Sequence, residues 1–95
     1  FNGEGVPKDY QQALRWFRLA ADQGEALAQT KIAIMYDDGL GVPKNIVQAY
    51  KWYSLATTNG DKPAPQIRDL LAKQMTPAQI AEAQKLAQEW KPKGK

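Results

Sequence analysis

The chain repeats itself. Residues 3–24 (GEGVPKDYQQALRWFRLAADQG) and 39–60 (GLGVPKNIVQAYKWYSLATTNG) align after a shift of 36 positions, and 11 of the 22 residues are then identical. The identities are Gly3/Gly39, Gly5/Gly41, Val6/Val42, Pro7/Pro43, Lys8/Lys44, Gln12/Gln48, Ala13/Ala49, Trp16/Trp52, Leu19/Leu55, Ala20/Ala56 and Gly24/Gly60. Self-similarity at this period marks a solenoid, in which a unit too small to bury its own apolar face does so by stacking on the next. Such a fold presents a surface, which points to recognition rather than catalysis.

Each copy opens on a turn and continues as a helix. Gly3-Glu4-Gly5-Val6-Pro7 and Gly39-Leu40-Gly41-Val42-Pro43 combine glycine, which tolerates positive φ, with proline, which fixes φ. Neither stretch follows a strand or completes a phosphate-binding fingerprint, so nucleotide binding is not expected from them. Asp9 and Asn45 are good N-caps, and Gln12 and Gln48 three residues on suggest capping boxes. Tyr10, Ala13, Trp16, Phe17 and Ala20 share a helix face; Ile46, Ala49, Trp52, Tyr53 and Ala56 do so in the second copy. Gly24 and Gly60 stand where left-handed glycines stop helices. Core packing is the expected role of both Trp16 and Trp52.

Between the copies, Ala28, Ile32, Met35 and Tyr36 form a stripe with Ala33 beside it, which predicts a further helix. The unit is then a hairpin: helix A over about 25–38, a loop over 39–45 and helix B over about 46–59. After Gly60, Ala64 lies 36 positions beyond Ala28, and residues 64–74 read as a degenerate helix A. Thr76-Pro77-Ala78-Gln79 begins a last helix with an N-cap, a proline in the first turn and a box residue. Ile80, Ala83, Leu86, Ala87 and Trp90 form its apolar side, as suits a terminal cap. The expected organisation is one domain over 1–91: a partial repeat (1–24, loop plus helix B), a complete repeat (25–60), and a degenerate repeat with a C-terminal cap (61–91). A basic tail (92–95) follows.

These residues carry a family resemblance. Ala28-Gln29, Ile32-Ala33, Met35-Tyr36, Gly39-x-Gly41-Val42, Gln48-Ala49, Trp52-Tyr53, Ala56 and Gly60, echoed upstream by Gly3-x-Gly5-Val6, Ala13, Trp16-Phe17, Ala20-Ala21 and Gly24, resemble the Sel-one-like repeat family, relatives of the tetratricopeptide repeat. The likeness is strong over 1–60 and weaker over 61–91. It implies a right-handed α-solenoid of antiparallel helical hairpins whose concave, helix A surface binds a protein or peptide, commonly in bacterial adaptors. The family usually has glycine where Ala33 stands, and many members carry a cysteine pair that this chain lacks. The first unit has no helix A downstream of Phe1, leaving Trp16 and Phe17 without their usual cover. The expectation is a fragment of a longer solenoid, or self-association through the N-terminal helix face.

Composition narrows the alternatives. The chain is 95 residues long, 43% hydrophobic and 24% charged, within the ordinary globular range. Its net charge of +3 resides in Lys91, Lys93 and Lys95; the rest is balanced, so no basic stripe for nucleic acid is expected. No apolar run could span a bilayer. Without cysteine the sequence does not choose between cytoplasm and periplasm. It has no histidine either, hence no Ser-His or Cys-His pair and no imidazole metal ligand. Its one serine, Ser54, begins SLAT rather than the S-x-x-K of penicillin-recognising enzymes. Penicillin binding or weak β-lactam hydrolysis, which the resemblance offers as an alternative, is therefore second to a non-enzymatic interaction module, and no cofactor or metal is expected. Asp37-Asp38 read as solvated acids at a helix end, or as a contact for a cation or basic peptide. The candidate partner-binding residues lie on the outward face of helix A, Leu27, Lys31, Ile34 and Asp38, with Arg68 from the next helix A. Ile34 has a second expected role, packing near Leu70 or Leu71.

Overall fold

The computed structural model describes residues 9–92. Gly3, Gly5 and the rest of the first glycine turn lie outside the described residues, as do residues 93–95 of the basic tail. The fold is all-helical: α1 (Tyr10–Asp22), α2 (Ala26–Asp38), α3 (Ile46–Thr58), α4 (Ala64–Ala72) and α5 (Pro77–Glu89). Its shortest dimension, 22 Å, is about two helix diameters, as expected of a solenoid slab.

Local chemistry sets the helix limits. Asp9 and Asn45 accept hydrogen bonds from the backbone N–H groups of Gln12 (2.8 Å) and Gln48 (3.1 Å). The full reciprocal box forms at Thr76, where Gln79 donates from its backbone and accepts with its side chain. It does not form at Asn45, whose N–H is already given to the Tyr36 carbonyl (2.9 Å), leaving the Gln48 side chain no donor to reach. At the C-termini, Gly24 (φ 93°) and Gly60 (φ 102°) complete Schellman motifs. Gly24 N–H donates to Ala21 and Glu25 N–H to Ala20; Gly60 donates to Thr57 and Asp61 to Ala56.

α3 is the organising helix. It packs on α2, α4 and α5, and α2 packs in turn on α1. Periodicity assigned α3 one apolar face, yet Tyr50 and Leu55 are buried along with Ala49, Trp52, Tyr53 and Ala56, because three neighbours cover it. α5 begins 31 residues after α3 begins, against 36 between α1 and α3. The last unit is thus compressed, and α5 lies on α3, with Trp90 edge-on to Trp52 at 6.2 Å between ring centroids.

The two repeated tryptophans differ. Trp52 is 1% exposed, walled by Trp90, by the Arg18 guanidinium at 5.3 Å and by the Lys51 ammonium at 4.7 Å. Trp16 is 64% exposed, which corrects its expected core role. The same residue on the same helical phase is buried only where neighbouring helices stand against it, and no described residue encloses Trp16 as Trp90 and Arg18 enclose Trp52.

A buried polar clasp joins the units. Gln29, fully buried on α2, donates through Nε2 to the Ala21 carbonyl at the end of α1 (3.1 Å) and accepts through Oε1 from Asn59 Nδ2 at the end of α3 (2.9 Å). Thr30 beside it donates to Asp61 (2.8 Å). Buried amides are tolerated when both ends are satisfied, as here. Ala33, at the position where glycine is usual, is also fully buried.

Candidate functional site

An open groove of about 630 Å³ lies between α1 and α2. Tyr10, Ala13, Trp16 and Phe17 make one wall, and Lys31, Ile34 and Met35 make the other, with Leu40 closing the end. The glycine turn sets the geometry of that end. Gly41 (φ 76°) lies so near α1 that a Cβ there would stand 2.7 Å from Tyr10 Cβ and 2.9 Å from its carbonyl carbon. Only glycine lets the turn seat against the first residue of α1, which brings Leu40 beside Tyr10.

The groove is apolar with a cationic lip at Lys31, and no carboxylate lines it. Outside the groove, α1 continues apolar: Leu19 is 59% exposed and forms a shallow cleft with Leu14, Arg15 and Arg18. Arg18 is held by Asp22 at 3.5 Å. The surface can therefore bury an apolar segment and pair with a negative charge; it holds no nucleophile–base pair. Among the described residues no cluster of acidic side chains could hold a metal ion, and no helix is long and apolar enough to cross a membrane.

The predicted partner-binding residues fall in different places. Lys31 and Ile34 both line the groove, facing the α1 aromatics. Ile34 is half-buried there and thus looks towards α1, while Leu71 is buried and Leu70 is 60% exposed on α4. Leu27 (64% exposed) and the exposed Asp38 stand on α2 beyond the groove's lining. Arg68 is paired with Asp69 (3.3 Å) and lines a separate cleft of about 350 Å³ with Tyr50, Ser54, Gln84 and Gln88. Ser54 is half-buried, and the residue three positions on is Thr57, whose hydroxyl is given to the Tyr53 carbonyl (2.8 Å).

Asp37 and Asp38 act on Tyr53. Burial chiefly, and then these two carboxylates, push its phenol up to about 12, so Tyr53 stays neutral at all ordinary pH. The groove residues that sequence reasoning left out of the site are Tyr10, Met35 and Leu40, with Ala13, Trp16 and Phe17 assigned to the scaffold. A usable signal existed at Leu40: it occupies a position that differs between the copies (Glu4 in the first), inside an otherwise matched turn.

The comparisons with known proteins agree with this architecture. The family model of the Sel1 repeat matches residues 1–25 and 26–61, well over half of the chain. Among solved structures, the chain is similar to a protective antigen present in uropathogenic Escherichia coli strains that displays an SLR fold. The TM-score is 0.85 and the identity 39%, over 93% of this chain and 19% of the antigen. The chain thus spans about a fifth of that protein's length. A search of curated proteins gave no significant match.

Proposed function

This chain belongs to the Sel1 repeat family, and we propose that it is a protein-interaction module that recognises its partner on the face of α2 bordering α1. The observation that carries this reading is the open apolar groove with Lys31 at its lip, formed where periodicity and packing leave Ile34 off the core stripe. An apolar anchor within a polar rim is the anatomy of a recognition site. Ile34 is the anchor, Lys31 the charge contact, and Leu27 and Asp38 flank them along the exposed side of α2. Arg68, in the α3–α4–α5 cleft, serves only a partner long enough to reach it.

A display library of random peptides, panned on the immobilised chain, tests this. Selected peptides should weaken about tenfold or more against Ile34→Ala and against Lys31→Glu, since a loss of about 1.4 kcal/mol is a factor of ten. Peptides indifferent to both substitutions would remove the groove from consideration.

A further inference from the structure

We infer that the cleft among α3, α4 and α5 is a second recognition site, which takes an extended peptide segment with an acidic side chain towards one end and an apolar one towards the other. The cleft shares no lining residue with the α1–α2 groove, so the inference goes beyond that reading and does not depend on it. A groove-bound partner needs length to reach Arg68; the segment inferred here is the cleft's own ligand.

Two lobes make up the cleft. Tyr50, Arg68 and Gln84 line one, of about 350 Å³; Leu55, Thr58, Trp90 and Pro92 line the other, of about 430 Å³. Ser54, Ala87 and Gln88 line both, so the lobes are continuous along α3 and α5. Their walls are regular rows. Tyr50, Ser54 and Thr58 stand about one turn apart on α3, and Gln84 and Gln88 about one turn apart on α5.

These rows carry unused hydrogen-bonding groups. None of the five side chains hydrogen-bonds to another described residue. Tyr50 is the most telling. It is 6% exposed, yet among the described residues no buried polar side-chain atom lacks a partner, so its hydroxyl opens into the cleft. Hydroxyls and carboxamides both donate and accept. An extended backbone presents an N–H and a C=O at each residue that need partners once covered, whereas a helix satisfies its own. Walls of this kind therefore favour an extended segment over a helix. From Tyr50 to Thr58 is about 12 Å at ~1.5 Å per helical residue, which about four extended residues cover at ~3.3 Å each.

Charge sets the polarity of the ligand. Arg68 is the one charged residue lining either lobe, among the described residues. Its Nε and Nη2 donate to a single oxygen of Asp69, both at 3.3 Å, and residues adjacent in sequence do not share a helix face. The Arg68 side chain is 27% exposed and that of Asp69 71%, so the arginine sits in the cleft and its counter-ion outside. A carboxylate entering the cleft meets Nη1, which neither bond uses. The far lobe, with Leu55, Ala87, Trp90 and Pro92, accepts an apolar side chain. The chain's own tail is a poor occupant, since Lys91, Lys93 and Lys95 bring positive charge and no acidic side chain.

The test is titration of the ¹⁵N-labelled full chain with terminally blocked peptides, glutamate and leucine at opposite ends of three alanines, in both orders. The side-chain amide signals of Gln84 and Gln88 read the site directly. At least one order should give saturable shifts there and at Ser54. Glutamine in place of the peptide's glutamate should bind at least about fivefold more weakly, as loss of a charge-assisted hydrogen bond implies. That change leaves the protein untouched, so its effect cannot come from misfolding. Arg68→Gln should erase the difference between the two peptides while the remaining signals stay dispersed. No saturable shift in the cleft, equal binding of the glutamine peptides, or a preference that survives Arg68→Gln overturns the inference. So does a glutamine peptide with a free C-terminal carboxylate that matches the glutamate peptide, which would give the cleft to a chain terminus. Shifts confined to Lys31 and Ile34 overturn it as well and leave the groove reading standing.

Discussion

Truncating the two repeated tryptophans should have sharply unequal effects. Trp52 is 1% exposed and carries an edge-on ring and two cations on its surface. Trp52→Ala removes that packing and leaves a cavity between helices, at a cost of about 3–5 kcal/mol; the Trp90 contact places it towards the upper end. Trp16 is 64% exposed. About a third of a side chain worth up to ~250 Å² is then buried, or roughly 90 Å², which at ~25 cal/mol/Å² is about 2 kcal/mol at most. For a domain of this size each kcal/mol moves the midpoint by about 4–8 °C. Trp52→Ala should therefore lower Tm by ~15 °C or more, or prevent folding, and Trp16→Ala by less than ~15 °C. Urea unfolding followed by far-UV circular dichroism measures both without relying on the fluorophore being removed. A difference between the variants below about 1 kcal/mol would refute the claim that neighbours, rather than repeat position, decide the worth of this residue.

The glycines should separate in the same way. Gly41→Ala places a methyl against Tyr10 at positive φ and should cost more than about 2 kcal/mol, whereas Gly24→Ala, with nothing within 4 Å, should cost about 1 kcal/mol in backbone strain alone; urea midpoints compare them. Gln29→Leu removes one of two hydrogen bonds at the Ala21 carbonyl, which keeps the Gly24 N–H, and one of two from the Asn59 amide, which keeps the Leu55 carbonyl; two lost bonds should cost about 1–3 kcal/mol, and Asn59→Ala should cost less in the Gln29→Leu background than in the parent, a non-additivity that a double-mutant cycle reads. Tyr53 has its phenol pushed up to about 12, so the unfolded chain loses that proton first as pH rises. The stabilising effect of the retained proton is complete below the unfolded value near pH 10 and is lost between there and about 12. Alkaline titration of phenolate absorbance should show a late-titrating phenol that Tyr53→Phe removes.

The sequence disclosed what depends on nearest neighbours along the chain. Asp9, Asn45 and Thr76 cap their helices, and Gly24 and Gly60 end theirs, because those functions are completed within three or four residues. Burial is a different kind of property. Trp16 and Trp52, or Leu19 (59% exposed) and Leu55 (6%), are indistinguishable by pattern, and only the surrounding helices tell them apart. Gln29 and Thr30 escaped notice as interior residues because polarity reads as surface until a partner is found, and theirs lie 30 and 31 residues away. The site was half legible: Ile34 announced itself by standing off the core stripe, but its facing wall on α1 follows from the approach of Gly41 to Tyr10. The docking of α5 on α3 had a readable trace in the shortened spacing of the last unit, which periodicity within a single helix does not register.

The Gln29 clasp bears on how such an array comes apart. In a linear array, stability divides into what each unit contributes internally and what each junction contributes. Gln29 belongs to both terms at once: one end of its amide holds the hairpin α2–α3, the other holds α1 to that hairpin. A fluctuation that opens the hairpin therefore releases the junction too, and slippage at the junction removes a bond from the hairpin. The partially melted species in which one hairpin stays intact beside a detached neighbour is depopulated. An array joined this way unfolds cooperatively, and strain applied at one unit is felt in the next.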